Sequence, residues 1–144
     1  MKVFFSELMR TQTAHGNVSR AGFAKLDVSD GMPRVLYHLN GHQGVVQKEL
    51  AVLCRVKEST LAVLLRRMEE KGLIRKERVT RSGGKRAFGI YMTEAGEEKT
   101  REIIRFVSRV DAKCLEGFSD EEVEQFYSFM ERVQRNLNGY SPEV

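Results

Sequence analysis

The sequence is poor in residues that break, cross-link or anchor a chain. Its 144 residues include two prolines, two cysteines and no low-complexity stretch. So few prolines favour an ordered, mostly helical chain, and two cysteines cannot form a disulfide framework, which predicts a reducing cytoplasm. The longest hydrophobic runs, Leu50–Cys54 and Leu61–Leu65, have five residues each. These runs are too short to span a bilayer, so we expect a cytoplasmic protein without a membrane partner.

Patterns for metal binding and catalysis are also absent from the sequence. The three histidines (His15, His38 and His42) and the two cysteines do not have the spacing of metal ligands. Gly83-Gly84 lacks the rest of a phosphate-binding loop, and no serine, histidine and aspartate stand in a recognisable nucleophile context. We therefore expect no metal, no cofactor and no enzymatic activity.

Positive charge is present, and it is distributed unevenly along the chain. The formal net charge is +4. Residues 55–92, called here the basic segment, hold 11 Lys/Arg against 4 Asp/Glu, a net of +7, whereas residues 93–144 hold 7 against 12, a net of −5. Such a segment is typical of a protein that binds a polyanion. Charge alone leaves open that it is only a solvated face.

Hydrophobic periodicity predicts a succession of helices and one β-hairpin. The helices are predicted at about 3–26, 32–39, 47–54, 59–71, 93–115 and 120–137, and the hairpin at 74–80 and 87–92. Leu61, Leu64, Leu65 and Met68 have the i, i+3, i+4, i+7 spacing of a buried helix face, and Leu50 belongs to the same core.

Polar residues and glycines predict where these helices begin and end. Ser29 or Asp30 is expected to cap the second helix, and Ser59 or a neighbour to begin the fourth. Gly72 should end the fourth helix. Ser119, three residues before Glu122, predicts a capping box at the last helix.

Two short helices joined by a tight turn at residues 55–57 make a helix-turn-helix candidate. A hairpin with a basic tip at Arg81–Lys85 follows directly. This combination is the layout of a winged helix, and it is far more specific than either part.

The order of these elements resembles the MarR family of bacterial transcription regulators over nearly the whole chain. The segments that carry the resemblance are Gly31–Leu36, Gln47–Ala51, Ser59–Ile74, Lys85–Gly96 and Asn136-Leu137. The resemblance implies a mainly α fold with a small β-hairpin wing, in which a winged helix-turn-helix domain is flanked by N- and C-terminal dimerisation helices. Within a single domain, 1–144, the implied dimerisation helices lie in 1–28 and 94–140, and the DNA-binding winged helix in 30–93.

The resemblance implies a homodimeric, sequence-specific DNA-binding transcription regulator, a repressor released by a small-molecule effector or by oxidation. Each subunit would bind one half of a pseudo-palindromic operator in double-stranded DNA, with half-sites on the order of 10 bp apart. The broad apolar faces of the terminal helices support a dimer independently. A winged-helix protein-interaction module, or a non-specific DNA-binding protein without an effector, remains the alternative.

The candidate DNA-binding residues form two groups. The recognition helix and its approach contribute Lys57, Ser59, Thr60, Ala62, Val63, Arg66 and Arg67. The wing contributes Arg81, Lys85 and Arg86. We expect Arg66 to contact a base edge and Val63 a thymine methyl group, whereas Ser59 and Thr60 could simply cap the helix and Arg67 could pair with an acidic neighbour.

Two further expectations concern the wing and the cysteines. Gly84 stands where the family pattern often has an aspartate that would hold the wing arginine in place, so the wing lacks this carboxylate. Cys54 ends an apolar run and Cys114 lies on an apolar helix face. Both are expected to be buried and inert rather than sensors of oxidants.

Overall fold

The computed structural model describes residues 1–29 and 31–143, which form six α-helices and a three-stranded antiparallel sheet. The helices are α1 (Phe4–Lys25), α2 (Met32–Leu39), α3 (Gln47–Cys54), α4 (Glu58–Glu70), α5 (Glu94–Cys114) and α6 (Asp120–Leu137). The strands are β1 (Val45–Val46), β2 (Ile74–Thr80) and β3 (Arg86–Met92), in the spatial order β1-β3-β2. The chain divides into a first compact unit, Met1–Val110, and a second, Asp111–Val144.

The predicted fold class is confirmed, and strand β1 is the element that the sequence analysis missed. Val45 and Val46 pair with Ile90 and Gly89 of β3. Two residues are too few to show the alternation that predicts a strand. β1 therefore exists only because β3 offers it an edge, and it fixes the start of α3 against the sheet.

The core of the first unit lies between α2, α3, α4 and the sheet. The predicted stripe of α4 is buried: Leu61, Leu65 and Met68 have no exposed surface, and Leu64 is 7% exposed. Leu50 of α3 is also fully buried. Since these leucines hold one face of α4 against the core, the opposite face must point outward.

The start of α4 agrees with its prediction, whereas the start of α2 differs from its predicted cap. Helix α4 begins at Glu58, a neighbour of Ser59, after Lys57, which makes no side-chain cap. Gly31, with φ +87°, precedes α2, and Ser29 contributes only its carbonyl oxygen, 3.1 Å from the Met32 amide. Asp30, the alternative cap, lies outside the described residues.

The predicted stop at Gly72 is confirmed. The Gly72 amide donates to the Glu69 carbonyl at 2.9 Å, and the Leu73 amide donates to the Met68 carbonyl at 2.9 Å. This pair of bonds is a Schellman motif, with Gly72 at φ +72°. It ends the recognition helix sharply and directs the chain into β2.

Neither α1 nor α6 has a buried residue in the protomer. On α1, Phe4 is 61% and Phe5 69% exposed. The second unit contains the predicted capping box, because the Glu122 amide donates to Ser119 Oγ at 3.2 Å and the Ser119 amide donates to Glu122 Oε2 at 2.8 Å. Both terminal helices thus present apolar faces to solvent.

A close approach of α1 to α5 makes Gly22 a packing residue, and we expect Gly22→Ala to destabilise the protein. A Cβ at Gly22 would lie 2.0 Å from Cζ of Phe106, whose ring packs edge-on against Phe23 at 5.1 Å. Displacing this ring should cost about 1–3 kcal/mol, more than the roughly 0.5–1 kcal/mol that alanine gains over glycine in a helix. Urea unfolding at a fixed protein concentration measures the change.

Gly16→Ala is the matched control on the same helix. A Cβ there meets only the end of the Arg20 side chain, at 3.2 Å. It should raise the free energy of unfolding by up to about 1 kcal/mol. If Gly22→Ala is as stable as Gly16→Ala, the packing of Phe106 against α1 is wrong.

Candidate nucleic-acid interface

The outward face of α4 carries most of the predicted recognition residues. Ser59, Thr60, Val63, Arg66 and Arg67 are exposed, as is Lys57 just before the helix, and Ala62 is half-buried. At 3.6 residues per turn, Ser59, Val63 and Arg66 lie nearly opposite the buried stripe. Thr60 and Arg67 lie on one flank of that face.

This face combines an exposed apolar side chain with exposed cations. Val63 is 51% exposed although it lies among polar neighbours. Arg66 has no ion pair with any residue that the structure describes, whereas Arg67 does have an interaction partner in the chain. Lys57, the residue before α4, makes no side-chain cap. The first amides of a helix have no partner within the helix and can bind an anion.

The hairpin of β2 and β3 forms the wing, and its basic tip is confirmed. The strands pair from Ile74↔Met92 to Thr80↔Arg86. Beyond them the Arg81 amide donates to the Lys85 carbonyl at 2.8 Å, which closes the turn. Residues 81–86, called here the wing tip, are all exposed, so the structure brings Arg81, Lys85 and Arg86 together.

The sequence analysis missed the partner of Arg81. Arg81 Nη2 donates to Glu49 Oε1 of α3, a charged pair between residues 32 positions apart. Position 84 is a glycine and supplies no carboxylate to the wing. The carboxylate that contacts the wing comes instead from Glu49 of α3. No local pattern could indicate this pair, because the folding of α3 against the sheet creates it.

The strand β2 adds cations that the sequence analysis did not assign. Arg75, Lys76 and Arg78 are exposed. Arg75 pairs with Glu77 and lies over the Tyr91 ring, 4.9 Å from its centroid. The cations of the basic segment are therefore distributed over α4 and the wing and are not confined to a single element.

The two cysteines have different environments. Cys54 is 1% exposed, as predicted, and burial raises the pKa of its thiol, which lowers the fraction of reactive thiolate. The expectation of a buried Cys114 is wrong, because this thiol is exposed. Cys114 is the last residue of α5, four residues beyond the buried Val110.

The first unit also contains a cavity of about 660 Å³. Its wall is mostly apolar, with side chains of α1, α2 and α5, and two arginines lie beside it. The lining includes Arg20, Phe23, Ala24, Val28, Arg34, Tyr37, Ile103 and Val107. The sequence analysis did not predict it, since its residues come from separate helices without a shared pattern.

Metal-binding clusters and membrane-spanning helices are absent from the described part of the chain. Among residues 1–29 and 31–143, no group of His, Cys, Asp or Glu could hold a metal ion. Within the same residues, no helix combines the length and apolar character needed to cross a membrane.

Comparison with known proteins relates part of the chain to a family. Residues 26–86 match the model of the MarR family. A relative from Bacillus subtilis (strain 168), an "uncharacterized HTH-type transcriptional regulator YybA", is 25% identical over 137 residues, covering 95% of this chain and 90% of the relative. The crystal structure of the transcriptional regulator SlyA is 26% identical, covers 94% of each chain and has a TM-score of 0.79.

A further solved structure shares the fold with full coverage. It is a MarR family transcriptional regulator from Listeria monocytogenes complexed with a 26mer DNA, which is 22% identical, covers 100% of each chain and has a TM-score of 0.82. The helix-turn-helix, wing and flanking helices thus define a winged helix-turn-helix transcription regulator. The match to the MarR family over residues 26–86 agrees with the family that the order of the elements predicts.

Proposed function

We propose that two copies of this protein bind a pseudo-palindromic operator and repress transcription, each copy contacting one half-site. The observation that carries the proposal is the exposed face of α4 beside the basic wing tip. An α-helix fits the major groove of B-DNA, which is about 12 Å wide. The DNA complex of the Listeria relative, a structure with the same fold, supports this mode of binding.

Each group of residues has a distinct role in this proposal. Arg66 reads a guanine edge, and Val63 contacts a thymine methyl group. Lys57 and the first amides of α4 bind phosphate. Lys85 and Arg86 reach the minor groove or its phosphates.

Dimerisation supplies the second half of the palindrome. The exposed apolar faces of α1 and of α6 support a homodimer, since each would otherwise leave large side chains in water. Phe126, Tyr127 and Met130 of α6 are 37–47% exposed in the protomer. A two-fold dimer presents the same residues to both half-sites.

Salt dependence of duplex binding tests the DNA-binding proposal. Lys57, Lys85 and Arg86 of two copies would neutralise six phosphates, which gives a slope of log K against log salt near −5. Fluorescence anisotropy with a labelled duplex measures this slope. A protein-interaction module would show no such binding. A non-specific binder would show the slope without a preferred sequence.

We further propose that a small molecule in the 660 Å³ cavity releases the DNA. The cavity supports release by a small molecule, and the burial and raised pKa of the Cys54 thiol argue against oxidation at that residue. Arg20 and Arg34 beside an apolar wall favour an aromatic or aliphatic anion. A small molecule bound in the cavity would favour a spacing between the winged-helix regions of the two copies that no longer matches the operator.

The fluorescent anion anilinonaphthalenesulfonate is a probe for this cavity. We expect it to bind the folded protein with enhanced fluorescence and to weaken duplex binding. Ala24→Trp should abolish both effects, because Ala24 lines the cavity from an exposed position and a larger side chain there fills the space without entering the core. Probe binding that persists in Ala24→Trp, or that leaves duplex affinity unchanged, would contradict the assignment.

A further inference from the structure

The wing tip has little packing of its own. All six of its residues are exposed, and two of them are glycines with positive φ: Gly83 at +80° and Gly84 at +75°. A Cβ added to either glycine would meet no atom within 4 Å. Between Arg81 and Lys85 the backbone has two turn bonds, from the Arg81 amide to the Lys85 carbonyl and from the Gly84 amide to the Arg81 carbonyl, and the strand ladder resumes at Arg86.

Glu49 connects the exposed wing tip to helix α3. It lies in the first turn of α3, whose start is fixed by the pairing of β1 with β3. Its carboxylate accepts from the Arg81 guanidinium, and both side chains are about half exposed, at 52% and 44%. Among the residues that the structure describes, this is the one hydrogen-bonded ion pair between the wing tip and α3.

We propose that Glu49 is a positioning residue of the wing. By holding Arg81, its carboxylate fixes the direction of the tip and so presents Lys85 and Arg86 to DNA. This inference rests on the proposed binding of DNA by the wing. Glu49 itself carries a negative charge beside the DNA-binding surface of the wing, and this charge repels DNA. Glu49 therefore favours DNA binding only because it orders the wing tip.

The order of the tip can be measured without DNA. We expect Glu49→Gln to lower the backbone amide order parameters of Gly83 and Gly84 from the rigid range near 0.85 toward about 0.6, with an unchanged unfolding temperature. Glu77→Gln is the matched control, because it removes a carboxylate that pairs with Arg75 inside β2. It should leave the order of the tip unchanged.

Duplex binding provides the second readout. With a labelled random-sequence duplex, Glu49→Gln should bind roughly two- to fivefold more weakly, the range expected for an exposed ion pair. In a protein that already carries Arg81→Ala, Glu49→Gln should not weaken duplex binding further, because Glu49 acts on binding through its pair with Arg81.

Two results would overturn the proposal. Unchanged order parameters in Glu49→Gln would show that the pair does not restrain the tip. Tighter duplex binding by Glu49→Gln in both backgrounds would show that Glu49 acts only as a repelling charge. If the wild-type protein binds no duplex, the proposed function fails, yet the order parameters still decide the role of Glu49.

Discussion

Met130→Glu is expected to convert the dimer into monomers and to weaken operator binding more than 100-fold. Met130 lies on the apolar face of α6 and is not buried within the protomer, so a glutamate there leaves the protomer fold intact. In the dimer it would place an unpaired charge in an apolar interface, which costs several kcal/mol. A monomer also loses the gain of about 10²–10⁴ that linking two half-site contacts provides.

Sedimentation equilibrium and circular dichroism test this variant together. The wild-type protein should have twice the mass of the chain, and Met130→Glu should have the mass of the chain with unchanged helix content. Glu131→Ala is the control, since Glu131 is exposed and lies on the polar side of α6. A Met130→Glu variant that remains dimeric would contradict a dimer interface that includes α6.

Arg66→Ala is expected to weaken binding to the operator by about 5- to 150-fold, or about 1–3 kcal/mol. Arg66 is the exposed cation nearly opposite the buried stripe of α4, so its guanidinium is the group best placed to reach a base edge. Binding to a random-sequence duplex should change far less, because phosphate contacts dominate there.

Lys85→Ala provides the contrast within the same surface. A lysine that contacts phosphate contributes equally to every sequence, so its loss should weaken operator and random duplex alike. It should also make the salt slope less steep by about one per contact. If Arg66→Ala leaves operator binding unchanged, or lowers both affinities equally, the assigned recognition face is wrong.

Periodicity predicted the parts of this fold that bury one face of a helix. The bounds of α2 (Met32–Leu39) and α3 (Gln47–Cys54) agree with the prediction, because their apolar residues repeat within clear stop signals. The outward position of Arg66 follows from the same buried stripe. Local pattern was therefore enough to place the recognition helix and the wing.

Features that depend on contacts between distant segments were not predictable in this way. β1 is a strand only because β3 pairs with it, and Glu49 meets Arg81 only after α3 has packed beside the sheet. Cys114 was wrongly predicted to be buried, because an apolar helix face in the sequence does not reveal whether another surface covers it. The cavity likewise depends on the packing of α1, α2 and α5.

Selection of bound sequences from a pool of random duplexes tests the central claim most directly. The account predicts enrichment of one inverted repeat whose half-sites are centred about one helical turn apart, on the order of 10 bp. The Arg66→Ala protein should lose this enrichment while it retains salt-dependent binding. Enrichment of a single unrepeated site, or of no sequence at all, would contradict a dimer that reads a palindrome through α4.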